Sequence, residues 1–515
     1  MYIVQRELRC SADALNLFTA LTEAAPDTVL LESADTTTRE SKRSLLVLSA
    51  SVRITCRGTK VKLTPVTKSG QMVCAEAARA FPMESVENSL VCEFPRGVAS
   101  DENKRLREPN PLDVLRFLTS LGNGLENDIT LPLLAGAFAY EFIDSYEALP
   151  PVTGGAATPE DCYFLLAEEL VQIDHMAQTA RLSVAAESPE LAETKLSALE
   201  ERVTSALAES HAAPRLDDPA PRQEPGAVLT ARASMSDSDF MARVKQMQEH
   251  IASGDIYQVV PSRSFALPCP DPVAAYRVLR QQNPSPYMFL LRTADEVLFG
   301  ASPEASVTVS GGEVSMYPIA GTRPRGLGAD GEVLHELDTR RELDLRTDPK
   351  ELSEHIMLVD LARNDLARIA KPGTRKVDKL LGVDRYSRVM HLVSRVVAEL
   401  DDGLDALDAY RACMNMGTLT GAPKLSATAL LRAAEGCRRG FYGGAVGYLS
   451  GSGDMDTCIV IRSAYVRDGV AHVQAGAGVV RDSDPRAEAD ETVHKAMAVL
   501  GAIAAAQGRT VEVVR

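Results

Sequence analysis

Several absences narrow what this chain can do. Its nine cysteines are scattered, odd in number and without a C-x-x-C pair, which reads as reduced, mostly buried thiols of a cytoplasmic protein. No stretch reaches the roughly 18 apolar residues of a membrane span, and the N-terminus "MYIVQRELRC" has no apolar signal region. Positive charge is in deficit. The net charge of −16 argues against nucleic acid or an anionic membrane as the main partner. The glycine- and arginine-rich segment "YPIAGTRPRG" (317–326) is not a phosphate-binding P-loop, which needs Gly-Lys-Ser/Thr opening a helix.

What is present is an ordinary globular composition, 45% hydrophobic and 24% charged over 515 residues, enough for two or three domains. Residues 187–210 have helical spacing, with Leu191, Leu196, Leu199 and Val203 on one side. A polar stretch with four prolines follows, and "SMSDSDFMARVKQMQEHIASG" then reads as a helix capped at Ser236 or Ser238 and closed at Gly254. These features predict an N-terminal portion over 1–214, a linker over 215–230 and a catalytic domain over 231–515. In the C-terminal part, alternating runs flank Gly311-Gly312, Asp468-Gly469 and the glycines around Ser452. Such turns join antiparallel neighbours. Long helices are predicted at about 337–370, 388–400, 421–436 and 486–507. The expected fold class is α+β, with antiparallel sheets covered by helices.

Two E-x-x-E pairs carry the chemistry. Glu351 and Glu354 share one face of a helix whose apolar stripe is predicted at Leu352, Ile356, Val359 and Leu366. Glu488 and Glu491 repeat the spacing, and Asp484-Pro485 suits the start of their helix. A single pair of this kind is ordinarily a solvated surface feature. Four carboxylates on two helices can instead hold one hard cation, and Mg²⁺ favours such sites when the substrate supplies further oxygens. Glycine-rich segments that can cradle an oxyanion stand alongside: "AGTRPRG", "NMGTLTGAPK", "FYGGAVGY" and "QAGAGVV". Arg462, expected on a strand, could grip a carboxylate bidentately.

Together "PIAGTRPRG", "KELSEHIMLVDLARNDLARI", "DRYSRVMHLVSRV", "MGTLTGAPK", "YGGAVGY", "DTCIVIRSA" and "QAGAGVVRDSDPRAEADET" resemble the chorismate-utilising enzymes, across about residues 240–505. Within that family the likeness is to its anthranilate-forming large subunits. The N-terminal part matches more loosely, through "LLES" at 30–33. The resemblance implies the chorismate-utilising fold, with an N-terminal regulatory portion packed on the catalytic domain. It implies that Glu354 and Glu491 ligate Mg²⁺, helped by Glu351 and Glu488. It places the ring carboxylate of chorismate near the metal and Gly476, Ala477 and Gly478. Tyr442 and Arg462 would hold the enolpyruvyl carboxylate, Gly321 and Thr322 would lie close to the substrate, and Thr418 would line the pocket. His391 and Glu304 would serve near the departing ring hydroxyl, a poor leaving group that needs a positioned acid.

Two positions imply which nucleophile is used. Aminodeoxychorismate synthases carry a nucleophilic lysine in place of Ala320. The water-using members carry a lysine base in place of Gln258. Alanine and glutamine together imply ammonia as the attacker, and anthranilate and pyruvate as products via 2-amino-2-deoxyisochorismate. The alternatives are an aminodeoxychorismate synthase large subunit and a non-catalytic tryptophan-sensing homologue. An amidotransferase domain needs a cysteine in a Gly-x-Cys-x-Gly elbow, which none of the nine cysteines occupies; Cys437 in "EGCRRG" comes nearest. The chain ends at 515 with no room for that domain. A separate glutamine amidotransferase small subunit (component II) is therefore the expected partner, in a heterotetramer. L-Tryptophan is the expected inhibitor, at a pocket formed by Leu31, Ser33, Pro286, Tyr287 and Met288. Arg43 stands where enteric relatives tend to have lysine.

Overall fold

The computed structural model describes residues 1–35, 41–97, 101–122, 131–152, 154–155, 158–209, 228–328, 332–386 and 389–515. Its strands form one continuous hydrogen-bonded system that closes on itself, with a separate ribbon pairing Gln258–Val259 with Gly421–Ala422. The pairings are antiparallel apart from Val228–Ala233, which runs parallel to Thr510–Val514. This is the α+β architecture expected. The hairpins at Gly311-Gly312 and Asp468-Gly469 and the turn around Ser452 are all present. No described helix is long and apolar enough to cross a membrane. All nine cysteines are free, and all except Cys437 are buried.

Most of the predicted linker, 215–227, lies outside the described residues, and Val228 already begins a strand. Strands from the two parts of the chain alternate in the sheet. Tyr287–Arg292 pairs with Thr28–Ala34, and Ala445–Ser450 pairs with Leu133–Phe138. The apolar cores reflect this mixing: Phe138, Phe142 and Phe164 pack in the same cluster as Tyr410 and Leu449.

The helix Asp237–Ser253 starts on the Ser236 cap and ends at Gly254 in the left-handed conformation, as the sequence predicts. The helix predicted at 337–370 is two helices, His335–Thr347 and Pro349–Ala367, because Asp348 caps the second and proline occupies its first position. The second helix buries His355, Leu358, Val359, Ala362 and Leu366, while Ile356 is 40% exposed. Its inner stripe therefore centres on His355 rather than Ile356. A bond between His355 Nε2 and Ser394 Oγ of 2.7 Å offsets the cost of burying that ring.

The predicted helix at 388–400 is a strand, Val389–Glu399. Four valines favour extended structure, and the strand has partners on both sides: Glu313–Met316 and Ile319–Pro324 on one, Lys376–Arg385 on the other. The period of two sends Met390 and Leu392 into a small core with Leu345 and His391 to the opposite face. The helix expected at 421–436 spans Lys424–Glu435, after the short strand Gly421–Ala422.

Candidate active site

The two glutamate helices converge on one cavity of about 500 Å³. Glu351 and Glu354 reach it from Pro349–Ala367, and Glu488 and Glu491 from Pro485–Ala506. The opposite walls carry Gln258, Glu304, Gly321, Thr322, His391, Thr418, Tyr442, Arg462, Gly476 and Gly478. Segments far apart in sequence thus meet at one place. Ala477 is the exception among the predicted residues. It is fully buried, and its N–H donates to the Pro261 carbonyl at 3.1 Å.

Arg462 corrects its expected setting. It lies between the strands Met455–Ile459 and Ser463–Arg467, with φ of 49°, not on a strand. This left-handed backbone, uncommon for a side chain of that size, turns the guanidinium into the cavity. Burial pulls its pKa down, while the charges of Tyr442, Glu491 and Glu304 pull it up. No ion pair to a described residue engages it, so it is a cation presented to an incoming anion.

Glu304 and His391 take opposite characters. Burial pushes the Glu304 carboxyl up to about 7, against the pull of Thr418, Lys495 and Arg462. Burial lowers the His391 pKa, so the imidazole is neutral at neutral pH. Its Nδ1 lies 3.0 Å from Thr322 Oγ1 and 3.3 Å from the Gly321 carbonyl, and Tyr386 meets its ring edge-on at 5.1 Å. With Nδ1–H directed at the carbonyl, Nε2 is left as the acceptor. Glu304 is the group here able to donate a proton near pH 7.

The carboxylates already have basic partners. Arg323 holds Glu351 at 2.7 Å and Asp348 at 2.6 Å, Lys495 holds Glu491 at 2.6 Å, and Lys350 stands 3.9 Å from Glu354. Burial raises the Glu354 pKa, and the neighbouring Glu351 and Glu491 add to the rise; burial and Glu491 act the same way on Glu488. Among the described residues no three acidic, histidine or cysteine side chains yet converge as a finished cation cage. The donor set nevertheless suits a hard cation: crowded carboxylates on one wall, with room for substrate oxygens. Lys350 and Lys495 were missed in the sequence reading, although Lys350 stands four residues before Glu354 and Lys495 four residues after Glu491.

A further buried cation braces the walls. Arg439 donates to the carbonyls of Val260 (2.7 Å) and Leu419 (2.8 Å) and to both oxygens of Glu435. Its guanidinium also lies 5.7 Å from the centre of the Tyr442 ring. Val260, Leu419 and Tyr442 all line the cavity. The N-terminal part secures the same loop: Glu141 accepts from the N–H groups of Arg439 (2.7 Å) and Gly440 (3.0 Å).

A second cavity, of about 310 Å³, is lined by Leu31, Ser33, Arg43, Tyr287 and Met288, together with Tyr448 and Asp456. Pro286 is not on its wall. Tyr287 donates to Asp456 at 3.0 Å. The hairpin of Ala445–Ser450 and Met455–Ile459 touches this cavity through Tyr448 and Asp456. Its flanks reach the first cavity through Tyr442 and Arg462.

Known proteins resemble the chain over most of its length. The chorismate binding enzyme family matches residues 77–501. Anthranilate synthase component 1 of Escherichia coli (strain K12) is 48% identical over 499 residues, covering 95% of this chain and 94% of its own length. The protein of that name from Vibrio parahaemolyticus is 46% identical over 518 residues, 98% of this chain and 94% of its own. The crystal structure of anthranilate synthase component I from Streptococcus pneumoniae TIGR4 superposes with a TM-score of 0.71 at 28% identity, over 89% of this chain and 92% of that one. The E. coli isochorismate synthase MenF shares the fold, with a TM-score of 0.62 at 18% identity, over 97% of this chain and 94% of that one.

Proposed function

Because the chain belongs to the chorismate binding enzyme family, we propose that it converts chorismate and ammonia to anthranilate and pyruvate. One observation carries the choice of nucleophile. Ala320 and Gln258 both line the cavity that holds Arg462 and the four glutamates. Neither side chain can attack a ring carbon or deprotonate water, which favours a nucleophile that enters from outside and needs no base at these two positions. Ammonia meets both requirements.

In this reading Arg462 and Tyr442 grip the enolpyruvyl carboxylate, and Gly476 and Gly478 border the ring. Glu304, its pKa raised by burial to about 7, gives its proton to the departing ring hydroxyl, which leaves as water. His391, neutral and oriented from Nδ1, sits beside the same group. Glu354 and Glu491, with Glu351 and Glu488, would hold Mg²⁺, which when bound polarises the ring carboxylate and orients the ring. Ammonia adds at ring carbon 2 and sheds one proton; removal of the hydrogen at that carbon, with a proton added to the enolpyruvyl methylene, then breaks the ring C–O bond, releases pyruvate and restores aromaticity.

A separate glutamine amidotransferase subunit supplies the ammonia, in a cytoplasmic heterotetramer. Cys437 is unsuited to that task, because burial pushes its thiol pKa up. L-Tryptophan binds the second cavity and inhibits. Purified protein mixed with chorismate, Mg²⁺ and an ammonium salt at mildly alkaline pH should develop anthranilate fluorescence, and glutamine in place of ammonium should give none. A folded protein that stays dark with ammonium would refute the reading.

A further inference from the structure

Glu304 and the two E-x-x-E pairs line the cavity, with Lys350, Lys495 and Arg462 among them and Arg323 bonded to Glu351. A divalent cation or a dianion entering alone changes the net charge of the site, and the two together leave it unchanged. The cations are not equally committed. Arg323 bonds Glu351 and Asp348 at once with a rigid guanidinium, a pairing that resists exchange. Lys495 is a compact ammonium on a flexible stem. Its Nζ lies 2.6 Å from Glu491 and 3.1 Å from the Gly476 carbonyl, with the two side chains 32% and 45% exposed. Solvent screens such a pair in part, so it exchanges more readily than the Arg323 pairing.

We propose that Lys495 is a built-in counter-ion, occupying Glu491 until a divalent cation displaces it, so that the cavity takes up cation and anionic substrate together rather than cation first. The inference rests on the reading of Glu491 as a metal ligand. In the resting state the ammonium supplies the charge that Glu491 would otherwise offer to the metal. Displaced, it remains beside Gly476 and Glu304, where a substrate carboxylate can take over as its partner.

Calorimetric titration of the full chain with magnesium chloride tests this without turnover. With no substrate, Lys495→Gln should bind Mg²⁺ about tenfold more tightly than wild type, since an opposing charge next to the site is gone. Lys495→Arg, which keeps a cation there, should stay close to wild type. Lys350→Gln removes the same charge from a looser, more exposed pair at 3.9 Å and should gain less than about threefold. Chorismate with ammonium withheld should tighten Mg²⁺ binding more in wild type than in Lys495→Gln. Unchanged or weaker Mg²⁺ binding by Lys495→Gln would overturn the proposal, as would an equal gain in Lys350→Gln. Glu491→Gln separates the premise from the inference. If it binds Mg²⁺ like wild type, the metal reading fails; if it loses binding while Lys495→Gln gains nothing, the counter-ion alone is refuted.

Discussion

Replacing Arg439 by methionine should damage the fold and the substrate site together. The guanidinium is buried, and so is its partner Glu435. Removing one member of a buried pair costs about 3–5 kcal/mol, because the remaining charge is left uncompensated. Glu435 would keep the backbone N–H and hydroxyl of Ser262, both at 2.9 Å, which favours the low end of that range. The Val260 and Leu419 carbonyls would each lose a donor, adding roughly 1 kcal/mol apiece if no water replaces it. A loss of about 5 kcal/mol, with a urea slope of about 3–5 kcal/mol per molar, lowers the unfolding midpoint by about 1 M or more. Urea titration followed by circular dichroism measures it. The loosened segments are cavity walls, so the KM for chorismate should rise in the protein that remains folded. Arg439→Lys restores the charge but cannot reach Glu435 and both carbonyls with one ammonium, and should fall between. A midpoint drop under about 0.3 M for Arg439→Met, with an unchanged KM, would refute the bracing role.

Two further expectations concern pH and regulation. With its pKa at about 7, Glu304 loses its proton as pH rises past that value, so turnover per free ammonia should fall about tenfold per pH unit above 7. His391→Asn should leave that inflection in place, and a corrected rate that stays level from pH 6 to 8 would exclude Glu304 as the acid. Linkage has the same sign: the stability tied to the raised Glu304 pKa is fully present below the ordinary 4.5 and lost as pH rises through about 7. Ser33→Ala should raise the inhibitory tryptophan concentration about two- to tenfold, the worth of one neutral hydrogen bond, with uninhibited turnover nearly unchanged. The chain contains no tryptophan, so the fluorescence of the added ligand reports its binding directly. Wild-type sensitivity in a mutant that has lost turnover would move Ser33 out of the effector pocket.

Local spacing was enough to read several features of this protein. The E-x-x-E pairs lie on helices because a three-residue interval, an Asp-Pro start and apolar neighbours act within one or two turns. The hairpins followed from Gly-Gly and Asp-Gly turns for the same reason. The seven motifs taken together, glutamate helices included, resemble a single family. The segment 388–400 was misread because its valines and leucines suit a buried helix or strand equally well, and only hydrogen-bonding partners on both edges decided between them. That decision also places His391 in the cavity, since a strand sends alternate residues to opposite faces.

Tertiary structure alone decided which charges meet. Arg439 joins segments that begin near residues 260, 419 and 435, Glu141 reaches the same loop from the N-terminal part, and Lys495 meets Gly476 across a helix–strand contact. The turn of Arg462 into the cavity depends on a positive φ that no neighbouring residue announces. These pairings depend on how distant strands register against one another. Sequence patterns report periodicities within single elements, whereas an ion pair between elements exists only once the sheet has set the distance between them.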